Sequence, residues 1–187
     1  MPLVRFHREP LTQAIWDEAL PLLFAHWKEV AHYQDIELTP DRERYDALER
    51  NGALRTFTAR TDDAAVYGDE PFEIIVPRGT LVGYALFVVT PNLHYRQILQ
   101  AQQDVIYIQP NHRGTMPIRF FKFCEEELFG EGIDVICHHT KAKDELNFGH
   151  LVERQGYELM DQLYVKRRPV AAARAFPFIE TSAKARS

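Results

Sequence analysis

The most informative part of the chain reads Asp104-Val-Ile-Tyr-Ile-Gln-Pro-Asn-His-Arg-Gly114-Thr-Met-Pro-Ile-Arg-Phe-Phe121. Its β-branched and aromatic beginning predicts a buried strand over Val105–Gln109. A tight turn with Arg113 follows, and apolar residues at helical spacing predict a helix from about Gly114 to Gly130. Free N–H groups at such a helix start, beside an arginine, suit a pyrophosphate. An ordinary strand–turn–helix connection that binds nothing has the same pattern.

The segments on either side of this stretch predict a mixed α+β sheet with helices on both faces. A helix capped by Thr12 runs to about His32, and Pro21 predicts a kink in it or two consecutive helices. A short helix opens at Thr39-Pro40-Asp41 and closes at Asn51-Gly52. The predicted strands are Val4–His7, Leu54–Arg60, Phe72–Val76, Leu81–Thr90, Asp134–His138 and Tyr157–Lys166, and the last predicted helix is Asp144–Gln155.

Length and composition are those of one soluble globular domain. The chain has 187 residues, of which 45% are apolar and 26% charged. Its uncharged apolar stretches are too short to cross a bilayer, and the first ten residues do not resemble a secretory signal. Cys124 and Cys137 have no zinc-ligand spacing, so we expect two buried thiols in a reducing compartment. A cytoplasmic protein without membrane partners is the expectation.

The net charge of −5 is unevenly distributed. Six basic residues and one acidic residue lie from Lys166 to Ser187, so the rest of the chain is strongly acidic. An acidic body makes nucleic-acid binding unlikely on electrostatic grounds and would attract a cationic substrate, although it also serves plain solubility. Residues 169–187 are expected to be a basic, loosely ordered tail.

Four features in chain order resemble the GNAT superfamily of CoA-dependent N-acyltransferases, one of them the predicted strand Asp134–His138. Leu81-Val-Gly-Tyr-Ala-Leu-Phe is similar to the central strand of that family. Val105-Ile-Tyr-Ile-Gln-Pro-Asn-His-Arg-Gly is similar to its acyl-CoA strand and turn, and Leu151-Val-Glu-Arg-Gln-Gly-Tyr-Glu to a later helix end. The resemblance covers residues 1–168 as one domain. Gly83-Tyr84 with Pro91-Asn-Leu-His-Tyr95 further resembles members encoded by bacteriophages and prophages.

The resemblance implies a central, mostly antiparallel twisted sheet of about six to seven strands flanked by helices. It implies an N-acetyltransferase that moves the acetyl group of acetyl-CoA to a primary amine of a small molecule or protein, with no metal and with a possible homodimer. The implied cofactor-binding residues are Ile106, Tyr107, Ile108, His112, Arg113, Gly114, Thr115, Met116, Pro117 and Ile118. Met116 and Ile118 stand where the family has small residues, and Val152 where many members have a tyrosine that protonates the leaving thiolate.

Candidate catalytic and substrate-binding residues follow from the same resemblance. Asp104 is the candidate general base, or a solvated strand-end residue. His94 is a candidate proton relay and Tyr95 a substrate contact, or both only pack at the end of a strand. The remaining candidates are Tyr164 as donor to the thiolate, and Glu37 and His139 as substrate contacts. Glu37, Asp41 and Glu43 either line the pocket of a basic amine or form a solvated acidic cluster that caps a helix.

Two other classes of function stay open at this point. A protein of this fold with little or no activity could act in binding or interaction, for example as a phage protein directed at its host. Nucleic-acid binding through the basic tail is the third class, and it predicts affinity that falls steeply with salt. Binding of acetyl-CoA would distinguish the acetyltransferase from these two classes.

Overall fold

A computed structural model describes residues 3–33, 35–67, 74–141 and 148–167, with the side chains of 65–67 and 74–76 excepted. These residues form seven strands and four α-helices. The strands are β1 (Val4–Arg8), β2 (Leu54–Thr61), β3 (Ala65–Tyr67), β4 (Ile74–Val76), β5 (Leu81–Pro91), β6 (Leu99–Ile108) and β7 (Val135–Cys137). The helices are α1 (Gln13–Val30), α2 (Arg42–Arg50), α3 (Met116–Gly130) and α4 (Phe148–Arg154).

Five of the strands form one sheet in the order β1-β2-β5-β6-β7. The first three pairings are antiparallel, and β6 and β7 are parallel. β3 and β4 form a separate antiparallel ribbon. The predicted α+β class with a mostly antiparallel sheet is confirmed, although the sheet itself has five strands.

The two faces of the sheet bury separate apolar clusters. α1 lies on β5 and β6, and α2 lies on β2, where Ile15, Tyr84 and Val105 are among the buried residues. α3 covers the opposite face, where Phe57, Phe87 and Phe120 are fully buried. The alternation of side chains along β5 and β6 places successive residues in one cluster and then the other.

Local sequence signals explain most helix boundaries. The Thr12 side chain accepts a hydrogen bond from the Ile15 N–H at 3.3 Å, and Asp41 accepts one from the Arg44 N–H at 3.1 Å. Thr12 is the cap that the sequence predicts, whereas α2 begins at Arg42, so Pro40 lies before the helix and Asp41 is its cap. α1 is a single helix from Gln13 to Val30 with Pro21 inside it, so the option of two consecutive helices is wrong.

Two predicted strands differ from the structure. β6 begins at Leu99, well before the predicted start. The sequence did not indicate this part of the strand, because Gln100, Gln102 and Gln103 interrupt the apolar run that is typical of a buried strand. The segment predicted as the strand Tyr157–Lys166 has no regular structure. Tyr157 packs on the core, but the apolar side chains after it are exposed, and no described strand lies beside the segment, so it lacks the ladder partner that a strand requires.

Several other predictions concern residues outside the described part. The predicted strand Phe72–Val76 is described only from Ile74, the predicted helix Asp144–Gln155 only from Phe148, and the tail 169–187 lies wholly outside. Cys124 and Cys137 are free thiols, the first buried and the second half-buried. None of the described helices is both long enough and apolar enough to span a membrane.

Candidate functional site

The parallel strands β6 and β7 are joined over only part of their length. Gln100, Ala101 and Gln102 pair with Val135, Ile136 and Cys137, and the pairing then stops. From Gln103 to Ile108, β6 has no strand beside it on the β7 side within the described part of the chain. We call Gln103–Ile108 the open edge of β6, and the space beside it the β6–β7 cleft.

The hydrogen-bond alternation of the sheet shows which backbone groups line this cleft. The Gln109 N–H donates to the Val82 oxygen at 2.9 Å, which places this pair at a hydrogen-bonded position of the β5–β6 ladder. Because such positions alternate in an antiparallel pair, Tyr107 also directs its backbone groups toward β5. Ile106 and Ile108 direct theirs into the cleft. Of the three amides expected to hold the cofactor, the two isoleucines face the cleft.

The open edge leads to a tight bend and then to the start of α3. Gly114 has a φ of 50°, a left-handed conformation that glycine adopts without strain. None of the described residues accepts a hydrogen bond from the N–H groups of Gly114, Thr115 or Ile118. Together with the positive end of the α3 dipole, these donors form a site that favours an anion.

Arg113 at this bend is held by the end of α1. Its Nη2 donates to both carboxylate oxygens of Glu29, at 2.9 and 2.7 Å, and its Nε donates to the Ile108 oxygen at 3.0 Å. Tyr107 lies below the guanidinium and stacks on the His26 ring at a centroid distance of 5.1 Å. Burial lowers the pKa of His26 to about 4, so the imidazole is neutral at pH 7.

The two residues that replace small ones at the bend point in different directions. The Met116 side chain is buried in the cluster under α3, so it does not fill the space in front of the helix start. Ile118 is exposed on the surface of the first helical turn. His112 is buried in the single turn of 3-10 helix before the bend, and burial lowers its pKa.

A β-bulge places Asp104 on the same face as α1 and α2. Leu86 pairs with Val105, and Phe87 with Gln103, so Asp104 is the extra residue in β6. The Tyr45 hydroxyl of α2 donates to its carboxylate at 2.6 Å. Burial and the nearby carboxylate raise the pKa of Tyr45, which keeps the phenol protonated as a donor.

A small apolar cavity lies beside this carboxylate, between α1, α2 and the sheet. Thr56 and Tyr84 line it, and their buried hydroxyl oxygens have no hydrogen-bond partner among the residues that the structure describes. Burial raises the pKa of Tyr84, so its hydroxyl is also protonated. The face of the sheet at Asp104 therefore combines one carboxylate with several neutral hydroxyl groups.

The remaining sequence candidates do not lie together. His94 and Tyr95 are exposed in the β5–β6 loop, where their N–H groups donate to the Asn92 side chain. This loop precedes β6, so it is at the opposite end of the strand from Arg113. Glu37 is exposed in the loop between α1 and α2. Tyr164 is 87% exposed in the irregular segment after α4, and its hydroxyl donates a hydrogen bond to the Gln162 side chain.

Side-chain bridges mark the point where β6 and β7 part. The His139 Nε2 lies 3.0 Å from the Gln102 Nε2 in an exposed pair. The His138 Nδ1 lies 2.5 Å from the Gln103 Oε1 in a partly buried pair. The second pair was not among the sequence candidates, and neither were Glu29 and Tyr45. The two adjacent histidines at the end of the predicted strand Asp134–His138 were the available signal for His138. Glu29 and Tyr45 are identified only by their contacts in the structure.

The described residues contain no group of three or more His, Cys, Asp or Glu side chains that could hold a metal ion.

Solved structures share this fold at low sequence identity. An aminoglycoside acetyltransferase from an uncultured soil metagenomic sample, in complex with sisomicin, aligns with a TM-score of 0.62 at 12% identity, over 88% of this chain and 97% of that one. A ribosomal-protein-alanine N-acetyltransferase from Brucella melitensis biovar Abortus 2308 has a TM-score of 0.62 at 18% identity, over 89% and 99%. The chain has the GNAT acetyltransferase fold.

A third structure with the GNAT fold was solved with an analogue that joins both substrates. It is AAC(6')-Iy in complex with the bisubstrate analogue CoA-S-monomethyl-acetylneamine, with a TM-score of 0.59 at 11% identity, over 89% of this chain and 99% of that one. No family model and no curated protein sequence matches the chain. The likeness to these proteins is therefore one of fold, and a fold by itself does not determine function.

Proposed function

We propose that this chain is an acetyl-CoA-dependent N-acetyltransferase that acts on a primary amine. The observation that carries the proposal is the open edge of β6, which leads through one turn of 3-10 helix to the bend at Arg113 and the start of α3. A strand edge offers amides to a pantetheine arm, and a helix start offers an anion site to the diphosphate. Acetyltransferases with the same fold, one of them solved with a CoA-containing analogue, support this assignment.

In this proposal the cofactor lies along the β6–β7 cleft. The diphosphate accepts hydrogen bonds from the N–H groups of Gly114, Thr115 and Ile118, near the Arg113 charge. The amide-bearing arm pairs with the backbone of Ile108 and Ile106, as an added strand would. The thioester then reaches the bulge, because the open edge spans about 17 Å at roughly 3.3 Å per residue.

Transfer itself needs a neutral amine at the thioester carbonyl carbon. The amine nitrogen forms a bond to that carbon, the carbonyl oxygen becomes an oxyanion, and the C–S bond then breaks to release the CoA thiolate. The Ile106 N–H, the cleft-facing donor next to the bulge, would stabilise the oxyanion. Asp104 would accept the proton that the amine loses, directly or through a water molecule. Val152 is buried and has no acidic proton to donate, so solvent would protonate the thiolate.

The acceptor would approach from the face covered by α1 and α2, because Asp104 and Tyr45 lie on that face. Carboxylates in the loop and first turn nearby (Glu37, Asp41 and Glu43) favour a basic amine there. Two structural neighbours are named for amine acceptors, an aminoglycoside and a ribosomal-protein alanine. A small-molecule amine and a protein amine both fit the proposal.

Calorimetric titration with acetyl-CoA tests the cofactor site directly. Gly114→Asp and Gly114→Asn place side chains of similar size at a left-handed position that both residues tolerate. The aspartate adds a negative charge where the diphosphate would bind. We expect the Asp variant to bind acetyl-CoA at least about tenfold more weakly than the Asn variant, or about 1.4 kcal/mol.

Thermal unfolding of the same proteins provides the control. Acetyl-CoA at about 100 times its Kd stabilises a folded protein by about 2.7 kcal/mol and should raise the melting temperature of the wild-type protein. Equal affinity of the two variants would remove the diphosphate site from the bend. A wild-type protein that does not bind acetyl-CoA at all would favour the non-catalytic binding protein.

A further inference from the structure

The His138–Gln103 pair lies at the point where β6 and β7 separate. Gln102 is the last β6 residue paired with β7, and Gln103 is the first residue of the open edge. His138 directly follows β7, and its Nδ1 lies 2.5 Å from the Gln103 Oε1. Since Oε1 can only accept, Nδ1 carries the proton and donates it. This side-chain bridge closes the apex of the β6–β7 cleft.

Aromatic rings fix the His138 ring in one position. Phe121 of α3 packs against it at a centroid distance of 4.4 Å, and Tyr157 meets it edge-on at 4.9 Å. Phe87 and Phe148 complete the enclosure at 5.7 and 6.1 Å. Gln103 is only 7% exposed, so the bridge is held from the strand side as well. An imidazole enclosed in this way does not move aside for a ligand without repacking.

The ring acts by its volume and not by its charge. Burial lowers the pKa of His138 to about 4, so at pH 7 the imidazole is neutral. Its Nδ1–H is already used by Gln103. Among the described residues, the groups that face it are aromatic rings, the Gln103 amide and the neighbouring His139, and none of them is a carboxylate.

We propose that the His138–Gln103 bridge is the end wall of the acyl pocket and restricts the donor to short acyl groups such as acetyl. This inference rests on the proposed function, because it requires the thioester to lie in the β6–β7 cleft. A pantetheine arm that starts at the Arg113 bend and follows the open edge directs its acyl end at the apex, where the bridge stands. Beyond the ring, the surroundings are apolar, so its removal would create a space suited to a longer alkyl chain.

Affinity across a series of thioesters tests the wall. Free CoA, acetyl-CoA, butyryl-CoA and hexanoyl-CoA are titrated into the wild-type protein and into His138→Ala and His138→Phe variants. We expect the wild-type protein to prefer acetyl-CoA to hexanoyl-CoA at least about tenfold. His138→Ala should abolish that preference, since the space it opens would bury the added CH₂ groups, and their burial is favourable. His138→Phe keeps a ring in place and should retain the preference. His7→Ala, an exposed position on the opposite edge strand, is the matched histidine control.

Each outcome bears on a different statement. An unchanged preference for acetyl-CoA in His138→Ala overturns the wall, and so does a loss of preference in His138→Phe that equals the loss in His138→Ala. Free CoA that binds all variants equally shows that the substitutions leave the CoA site intact, so a failure of the wall is distinguishable from a failure of the proposed function. A wild-type protein that binds none of the four compounds overturns the proposed function itself. If His138→Ala does not fold, His138→Val supplies the smaller side chain at the same position.

Discussion

The two halves of β6 make an instructive comparison. From Leu99 to Gln102 the strand is paired on both edges, with β5 on one side and β7 on the other. From Gln103 to Ile108 it is paired with β5 alone. The first half carries more polar side chains and is structurally complete, whereas the second half is more apolar and leaves backbone groups unpaired.

The difference shows how a sheet can provide a binding edge without an exposed strand at its outer border. Unpaired strand edges invite aggregation, and proteins keep them short or covered. Here the open edge lies inside the sheet order, and it ends at a bend with an arginine and a helix start. The paired half fixes the position of the strand, so that the open half is preformed for a ligand.

A substitution at Asp104, close to the boundary between the two halves, should have the largest effect on catalysis. Asp104→Asn removes the proposed base at the bulge but keeps its size and its contact with Tyr45. We expect kcat to fall about 100-fold, the usual lower range for loss of a general base, with acetyl-CoA affinity unchanged. Release of the CoA thiol is followed with a panel of primary amines that includes an aminoglycoside, a polyamine and a peptide with N-terminal alanine. A variant that turns over at the wild-type rate would exclude Asp104 as the base.

Substitutions within the open half should separate binding from folding. Ile106→Pro removes an N–H that faces the cleft, at a position where the β5 ladder does not use it. We expect acetyl-CoA to bind up to about tenfold more weakly, the worth of one hydrogen bond of about 0.5–1.5 kcal/mol. Titration calorimetry measures the affinity, and Ile106→Val, which retains the N–H, is the control.

A proline substitution at the next residue, Tyr107, tests which backbone N–H groups of β6 face β5 and which face the cleft. Tyr107→Pro removes an N–H that serves the β5 ladder, so thermal unfolding should show a larger loss of stability than Ile106→Pro. If the two proline variants lose stability equally and Ile106→Pro binds normally, the backbone of the open edge does not hold the cofactor.

The smallest effect is expected where α1 reaches the end of the open half. Glu29→Gln removes the carboxylate that holds Arg113 and frees the guanidinium for a diphosphate. The pair is partly exposed, so we expect acetyl-CoA to bind only about threefold more tightly, with the gain reduced by added salt. Titrations at low and high salt measure this. Weaker binding would mean instead that Glu29 holds Arg113 in its binding position.

Much of the fold could be predicted because the sequence signals are local. The caps Thr12 and Asp41 and the apolar run of β5 each act within a few residues, and the structure has these elements where the sequence predicts them. The sequence did not show the first half of β6, because its alternating glutamines lack the apolar pattern of a buried strand. It also indicated a strand after α4, where apolar residues alternate with polar ones but the described chain offers no partner.

The candidate site divides in the same way. The bend with Arg113 and Gly114 is contiguous in sequence and could be located from its residues alone. Glu29, Tyr45 and Gln103 could not, because each meets its partner from a distant part of the chain. Met116 could not be oriented either, since only the packing under α3 shows that its side chain turns away from the bend.

By itself, then, the amino-acid sequence determined the α+β class, most helix boundaries and the strand–bend–helix segment, because hydrophobic period, capping and turn chemistry act between near neighbours. Only the tertiary structure decided where the β6–β7 pairing ends, which amides face the cleft, and which side chains surround Asp104, Arg113 and His138. Those features arise from register and packing between segments far apart in the chain, and no local pattern encodes them.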